Sequence, residues 1–320
     1  MKKLSLVLEI VISLIFLAVL LHFAGASDVV KIIANVKLEW LLLSLLILLF
    51  VHVGMTYRIV LILNRLNSPI SFITALKCHL AGMLASDFTP ARSGYFTTAF
   101  ALSRNHSVPA GKGMVSILGP QLFDFGLKAI AGGAALAYIL YFRVPDGPSS
   151  PLAFTGIAVV SLMIVAGILL LFSKRFANFL GFISRLPFGD RVHSLIVRMQ
   201  ENSHAVKALF PQITLLLIFT WICKGLSWYA LAVSIGVTAD FFNPFLFYLF
   251  LQPLVSMLEF MPTPTLAGMG LSEAGVAVVL SMFGVPLAVG VGYGILVRFS
   301  AMSLNAFGIA EIVRTLKIKS

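Results

Sequence analysis

The sequence contains few charged residues and only two cysteines. Asp, Glu, Lys and Arg make up 11% of the 320 residues, whereas hydrophobic residues make up 59%. Soluble domains carry about 25% charged residues, so this composition excludes a soluble globular domain as the whole chain. Cys78 and Cys223 lie in separate apolar segments, which excludes both a disulfide framework and a CxxC metal site.

Several catalytic signatures are also missing. The chain has no GxxxxGK[S/T] phosphate-binding loop, no HExxH zinc motif and no GxSxG nucleophile elbow. His22, His52 and His79 are scattered singly, so we expect packed histidines rather than metal ligands. We therefore expect no enzymatic activity, no bound metal and no other cofactor.

Apolar sequence is abundant and is arranged in long runs. The mean hydropathy is +1.02, and a helix needs about 20 apolar residues to cross the hydrocarbon core of a membrane. The sequence therefore predicts an all-α polytopic membrane protein with about six full transmembrane helices. We predict these spans at about 4–23, 40–63, 114–142, 152–172, 213–235 and 286–313.

The first apolar run raises the question of a signal peptide. It extends over about 20 residues, whereas the apolar region of a signal peptide usually has about 7–15. Ala24-Gly25-Ala26 does resemble a cleavage site. We nevertheless expect an uncleaved membrane anchor.

The net charge of +11 does not indicate nucleic-acid binding in such a chain, because short cytoplasmic loops of membrane proteins collect Lys and Arg. Arg58 and Arg65 close the second span, and further basic residues follow the last one, which predicts a cell-membrane protein with both termini in the cytoplasm. The segment 173–211 is also basic. We interpret it as a cytoplasmic amphipathic linker on an anionic membrane surface, with a solvated linker as the alternative.

Two further apolar segments are interrupted. The segment 69–104 is broken at Thr89-Pro90 and carries polar residues at the break. The segment 244–283 is broken by Pro262, Pro264, Gly268 and Gly270. Because proline removes a backbone hydrogen bond and breaks helices, we predict two broken re-entrant hairpins.

The two interruptions share a motif. Asp87-Phe88-Thr89-Pro90 and Glu259-Phe260-Met261-Pro262 have the same pattern of acid, Phe, spacer and Pro. The order of spans and hairpin is also the same in both halves, which predicts an inverted repeat, an architecture typical of transporters. We divide the chain into a first repeat (1–172), the linker (173–211) and a second repeat (212–320), with 152–172 alternatively in the second repeat.

Ionisable residues inside the apolar segments are candidates for function. Each costs about 2.5–3.5 kcal/mol on insertion scales, so those present usually face a cavity and have partners. The acids are Asp87, Asp124, Glu259 and Glu273, and the cations at similar depth are Arg92, Lys128, Lys224 and Arg298. Structural ion pairs and a cavity that binds a charged headgroup are both consistent with this set.

The residue types assign different roles within such a cavity. Arg92 and Arg298 suit a phosphate group, because a guanidinium donates two parallel hydrogen bonds and stays charged. The carboxylates would meet a substrate amine or relay protons. Asp124 and Lys128 are four residues apart, which favours a local ion pair on one helix.

These segments resemble the lysylphosphatidylglycerol synthase transmembrane-region family of flippase-like membrane proteins, which includes the flippase domain of the multiple peptide resistance factor. The resemblance depends on residues 87–94, 121–124 and 262–273 and on Arg298, and covers most of the chain. It implies movement of a polar phospholipid or glycolipid between leaflets. The chain departs from the family at Tyr95, where Glu is frequent, and at Gln121, where Arg is frequent.

We therefore expect a lipid translocase with a polar cavity at the membrane midplane. The expected substrate-binding residues are Arg92, Arg298, Glu259, Glu273, Asp87, Asp124, Lys128 and Gln121. Expected partners are membrane lipids, a separate lipid-modifying enzyme and a second copy of the chain, but not nucleic acid. The alternatives are an ion-coupled secondary transporter of a small polar solute and a non-catalytic membrane partner of a lipid-modifying enzyme.

Overall fold

The computed structural model is helical throughout the part of the chain that it describes. This part comprises residues 2–143 and 201–317, apart from 203, 238, 240–242, 261, 262 and 264, and contains no strand. Its α-helices, in chain order, are α1 (Lys2–Ala24), α2 (Ala26–Ala34), α3 (Leu38–Arg65), α4 (Phe72–Asp87), α5 (Thr97–His106), α6 (Ala110–Arg143), α7 (His204–Ala208), α8 (Phe210–Ser234), α9 (Pro244–Phe260), α10 (Leu271–Met282), α11 (Leu287–Asn305) and α12 (Ile309–Lys317).

Four helical stretches of the described residues are long and apolar enough to cross a membrane. They are α3, α6, α8 and the stretch from α11 to α12. A fifth candidate is the pair α1 and α2, which bends by 89° at Gly25, whose φ is 80°. The predicted all-α polytopic membrane class is confirmed.

The described helices overlap five of the six predicted spans. The predicted span 152–172 and most of the predicted linker 173–211 lie outside the described residues. The interrupted segments each contain two shorter helices, α4 and α5 in the first hairpin and α9 and α10 in the second. The re-entrant topology and the inverted repeat stay predictions.

Local capping residues set the limits of the first hairpin. The α4 helix begins after Ser71, whose Oγ accepts a hydrogen bond from the backbone N–H of Thr74 at 3.3 Å, as preferred N-cap residues do. The α5 helix ends at His106, and the following residue, Ser107, caps it with a left-handed φ of 57°. Pro109 follows two residues later and cannot continue a helix.

Small residues allow neighbouring helices to approach closely. The Oγ atoms of Ser44 on α3 and Ser227 on α8 are 2.8 Å apart. A Cβ atom at Gly290 on α11 would lie only 2.8 Å from the Cα of Ala277 on α10, so this crossing requires glycine. Helix association in membranes depends on such close packing, because burial from lipid supplies little hydrophobic driving force.

The buried side chains form two main clusters with a polar zone between them. On α8, Ile213 and Leu217 belong to a first cluster with α3 to α6. Trp228 and Leu231, on the same helix, belong to a second cluster with α9 to α11. Lys224 lies between the two pairs, so the polar zone falls near the middle of a membrane-length helix.

Candidate functional site

The first hairpin turns in an irregular segment between α4 and α5. Pro90 restricts the preceding residue, and Thr89 is extended (φ −132°, ψ 143°). Ala91 and Arg92 follow with left-handed φ values of 51° and 53°, which residues other than glycine adopt rarely. The chain thus reverses within a few residues and presents Asp87 and Arg92 at the tip.

A short hydrogen-bond network closes this tip. Thr89 Oγ1 donates to the carbonyl of Ala85 at 3.1 Å and accepts from the backbone N–H of Gly94 at 2.6 Å. A Cβ atom at Gly94 would overlap the backbone of Ala85 and Ser86. Only glycine fits at this position.

The second hairpin turns between α9 and α10 through left-handed residues. Ala267, Gly268 and Gly270 have φ values of 46°, 69° and 84°. Glu273 then caps α10, because its Oε2 accepts a hydrogen bond from the backbone N–H of Gly270 at 2.8 Å. A carboxylate in the first turn of a helix is also stabilised by the helix dipole.

Arg298 on α11 holds the second hairpin in place. Its Nε pairs with Glu273 Oε1. Its Nη2 donates to Ser272 Oγ at 2.7 Å and to the carbonyl of Ala267 at 3.5 Å. The Glu273 side chain is 2% exposed and that of Arg298 is 10% exposed, so this ion pair is buried.

The tips of the two hairpins meet. The backbone N–H of Ala267 donates to the carbonyl of Thr89 at 3.2 Å. Arg92 bridges the two tips, since its Nε lies 3.2 Å from Glu259 Oε2 and its Nη2 lies 3.5 Å from Asp87 Oδ1. One guanidinium thus contacts the acids of both repeated motifs.

The α6 helix contributes a second group of polar residues. Lys128 Nζ lies 2.8 Å from Asp124 Oδ2, so the local ion pair expected from their spacing is present. Gln121 Nε2 donates to the same oxygen at 3.3 Å. Lys128 Nζ also lies 4.8 Å from the ring centroid of Phe260, within the range of a cation–π interaction.

These groups surround one internal cavity of about 130 Å³ between α3, α4, α6, α8, α9 and α11. Seven of the eight sequence-predicted site residues line it: Asp87, Arg92, Gln121, Asp124, Lys128, Glu259 and Arg298. The eighth, Glu273, is the ion-pair partner of Arg298. The structure thus brings the predicted residues together, while their contact with a substrate stays a prediction.

An apolar groove of about 260 Å³ lies between α6 and α9. On α6 it begins beyond Lys128, and on α9 it ends just before Gln252, so it follows the cavity along the same two helices. Its wall is almost entirely apolar and consists of Ala134, Ala135, Tyr138, Ile139, Asn243, Leu246, Phe247, Phe250 and Leu251.

Sequence reasoning missed Arg58 as a buried charge near the site. We interpreted it only as one of two basic residues that close the second span, but its side chain is 5% exposed and α3 continues to Arg65. It interacts electrostatically with the carboxylate of Asp124. The sequence signal for the burial of Arg58 was its position within an apolar run, several residues before the helix ends.

Two other contributors to the site had weaker sequence signals. Asn305 on α11 donates from Nδ2 to Asp87 Oδ2 at 2.7 Å, a role that no pattern around a neutral amide predicts. Lys224 lines the cavity; its depth was apparent from the sequence, but its place in the site was not.

Two histidines and a tyrosine form a buried hydrogen-bonded chain. His52 Nδ1 lies 3.2 Å from His79 Nε2, and Tyr95 OH lies 3.3 Å from His79 Nδ1. His52 and Tyr95 both line the cavity. Tyr95 therefore belongs to this chain of polar groups.

One group of three potential metal ligands occurs among the described residues. The ligand atoms of Cys78, His106 and Glu311 lie within 4.8 Å of one another. Glu311 Oε1 already accepts a hydrogen bond from Asn105 at 2.6 Å and lies 3.0 Å from His106 Nε2. These contacts attach α12 to the end of α5.

The fold and the cavity define a polytopic α-helical membrane protein in which two broken hairpins meet at a charged internal site, an arrangement typical of membrane transporters. Comparison with known families specifies this class further. Residues 6–307 match the family described as the lysylphosphatidylglycerol synthase TM region, and the chain belongs to that family. No curated protein matches the chain. Membership indicates a role connected with membrane lipids.

Proposed function

We propose that this protein moves a polar phospholipid or glycolipid between the two leaflets of the cell membrane, without changing it covalently. The observation that carries the proposal is the charged cavity between the hairpin tips. Charged groups are costly in hydrocarbon, and inside membrane proteins they usually mark a substrate or ion pathway. A headgroup that crosses the membrane needs such a pathway.

The two neighbouring sites favour a lipid over a wholly polar solute. The cavity has charged walls and a volume of about 130 Å³, which suits a polar headgroup better than an acyl chain. The apolar groove along the same helices offers a surface for an acyl chain, so the two sites together suit an amphipathic ligand.

Arg92 supplies a means by which headgroup binding changes the conformation. Its contact with Glu259 joins the two hairpins, and both side chains retain partial exposure, 18% and 17%. A cationic group of the headgroup would compete with Arg92 for Glu259 and Asp87. Loss of this bridge would allow the hairpins to separate, as alternating access requires.

The topology of the proposed translocase follows the sequence expectations. Both termini lie in the cytoplasm, and membrane lipids are its ligands. A separate lipid-modifying enzyme would supply a modified headgroup. A second copy of the chain remains an expected partner.

Reconstitution in liposomes tests the proposal. Lipids with a fluorescent acyl chain are incorporated into both leaflets of the liposomes. The fraction of these lipids that a membrane-impermeant quencher reaches from outside is followed with time. We expect the purified protein to increase this fraction for at least one anionic, zwitterionic or aminoacylated lipid. The control is Ala301→Phe, which places a ring in the cavity wall. Equal rates for the protein, this variant and empty liposomes would contradict the proposal.

A non-catalytic membrane partner of a lipid-modifying enzyme is the second candidate. The observation that favours it is the pairing of Arg92, Lys128 and Arg298 with carboxylates, as in a structural core. It predicts that the folded protein moves no lipid in liposomes but co-purifies with an enzyme. Lys224 and Arg58 are exceptions to this pairing, because no carboxylate of the described residues lies within ion-pair distance of either.

A further inference from the structure

Positive charge is in excess at the side of the cavity formed by α3, α6 and α8. Asp124 interacts electrostatically with Lys128, Lys224 and Arg58, so three cations face one carboxylate. Lys128 takes the close contact with Asp124. Within residues 2–143 and 201–317 as described, no carboxylate lies within ion-pair distance of Lys224.

Two buried nitrogens of residues that interact electrostatically with Lys224 also lack hydrogen bonds to the described residues. They are Nε2 of His52 and Nη1 of Arg58; the two residues are 3% and 5% exposed. Of these two residues, His52 lines the cavity and Arg58 does not. A buried donor without a partner costs about 1–3 kcal/mol. A bound acceptor would recover this free energy.

The histidine chain can direct a donor toward such an acceptor. If Tyr95 OH donates to His79 Nδ1, then His79 Nε2–H donates to His52 Nδ1, and His52 carries its remaining hydrogen on Nε2. If the donors run in the opposite direction, from His52 to His79 to Tyr95, then His52 Nε2 carries a lone pair instead of a hydrogen. An anion beside Lys224 favours the first direction, because it accepts a hydrogen bond from His52.

The hairpin tips have the opposite balance of charge. Asp87, Glu259 and Glu273 surround the guanidiniums of Arg92 and Arg298, so the carboxylates outnumber the cations. Both guanidiniums already contact carboxylates. Arg92 Nε also lacks a hydrogen bond to the described residues, but it lies 3.2 Å from Glu259 Oε2. An anion at the tips would therefore compete with a carboxylate, whereas no carboxylate of the described residues lies within ion-pair distance of Lys224.

We propose that Lys224 and His52, with Arg58 contributing positive charge, form the subsite that takes the phosphate group of the ligand. This assignment rests on the proposed function, and it replaces Arg92 and Arg298 as the phosphate-binding residues expected from the sequence. The ligand chemistry is a phosphate monoester or diester. A lipid headgroup and free inorganic phosphate both supply it.

Equilibrium binding to the full-length protein in detergent tests the subsite without requiring translocation. The probes are dihexanoyl phosphatidylglycerol, the uncharged dihexanoylglycerol and inorganic phosphate, each measured by native mass spectrometry. We expect the phosphatidylglycerol to bind at least tenfold more tightly than dihexanoylglycerol. If phosphatidylglycerol binds more tightly than inorganic phosphate, a lipid is the source of the phosphate group. If the two bind equally, Lys224 and His52 belong to a general anion site.

Four variants locate the binding. Lys224→Met should weaken phosphatidylglycerol binding at least tenfold, because a hydrogen bond from a charged donor is among the strongest hydrogen bonds in proteins. Lys224→Arg keeps the positive charge and should retain binding within about threefold. His52→Phe, which keeps the ring but removes its nitrogens, should weaken binding by about three- to tenfold. The matched control is Lys31→Met, which removes a lysine that is 72% exposed and should bind normally.

A charge-balanced double variant tests the competing location. Arg92→Gln with Glu259→Gln removes one charge of each sign from the hairpin tips and should weaken phosphatidylglycerol binding less than Lys224→Met does. Normal binding by Lys224→Met, or loss of binding in the double variant alone, would overturn the subsite. Binding that depends on Lys224 without lipid movement would refute the translocase and leave the subsite standing. Lipid movement by the original protein, together with normal phosphatidylglycerol binding by Lys224→Met, would refute the subsite and leave the translocase standing.

Discussion

Arg298→Met is expected to destabilise the second hairpin, because it leaves Glu273 buried without its counter-ion. Glu273 is 2% exposed, and Arg298 is its ion-pair partner. Two hydrogen bonds to Glu273 Oε2 would remain, from Gly270 N–H at 2.8 Å and Ser272 Oγ at 3.1 Å. The perturbation therefore removes the ion pair but keeps the cap of α10.

The magnitude follows from the burial of the pair. Removing one partner of a buried ion pair costs about 3–5 kcal/mol. The remaining hydrogen bonds and the position of Glu273 at a helix N-terminus stabilise the carboxylate, the latter by up to about 2 kcal/mol in partly buried sites. We therefore expect Arg298→Met to lower the free energy of unfolding by about 3 kcal/mol.

Glu273→Gln in the same background supplies the matched comparison. The glutamine is neutral, and its carbonyl oxygen can still accept the hydrogen bond from Gly270 N–H. Because the double variant leaves no uncompensated charge at this pair, it should recover about 2 kcal/mol relative to Arg298→Met.

Reversible unfolding in mixed micelles, followed by circular dichroism, measures the complete double-mutant cycle. Equal destabilisation by Arg298→Met alone and by the double variant would refute the argument, since it would show that neutralising Glu273 relieves no uncompensated charge. An unchanged free energy of unfolding for Arg298→Met would refute it as well.

Two further predictions concern backbone packing and the apolar groove. Gly94→Ala should lower the free energy of unfolding by about 1–3 kcal/mol, because its Cβ overlaps Ala85. Gly133→Ala, with no described atom within 4 Å of its Cβ, should change it by less than about 1 kcal/mol; similar values in mixed-micelle unfolding would contradict the role of Gly94. Ala135→Trp should fill the groove and slow lipid movement in the liposome assay at least fivefold, whereas Ile130→Trp, at a position 76% exposed, should not. Equal rates for both tryptophan variants would remove the groove from the pathway.

The positions of the helices and of their interruptions were predictable from the sequence. Apolar length decides whether a helix can span a membrane, and both interruptions contain proline or glycine, whose effects on the backbone are local. The Asp124–Lys128 pair was predictable for the same reason, because four residues separate neighbours on one helix face. Arg58 shows where this approach failed, since we interpreted it only as a basic residue that closes a span, although it lies within the apolar run and is buried.

The partners of the charged residues depended on contacts between distant segments. Arg92 lies between acids from both hairpins, and Asn305 reaches Asp87 across more than two hundred residues of sequence. No periodicity encodes such pairs, because they arise from the docking of separately formed helices.

The sequence by itself determined the membrane class, the positions of the described helices and most of the buried charges, because these follow from composition and local spacing. Only the tertiary structure decided how the charges are distributed. Arg92, Lys128 and Arg298 each contact a carboxylate, while Lys224 lines the cavity and contacts none within the described part of the chain. In a medium of low dielectric constant, the charge that lacks a counter-ion is the one that attracts a ligand. This difference in pairing between Lys224 and the other three cationic side chains exists only once the helices are packed.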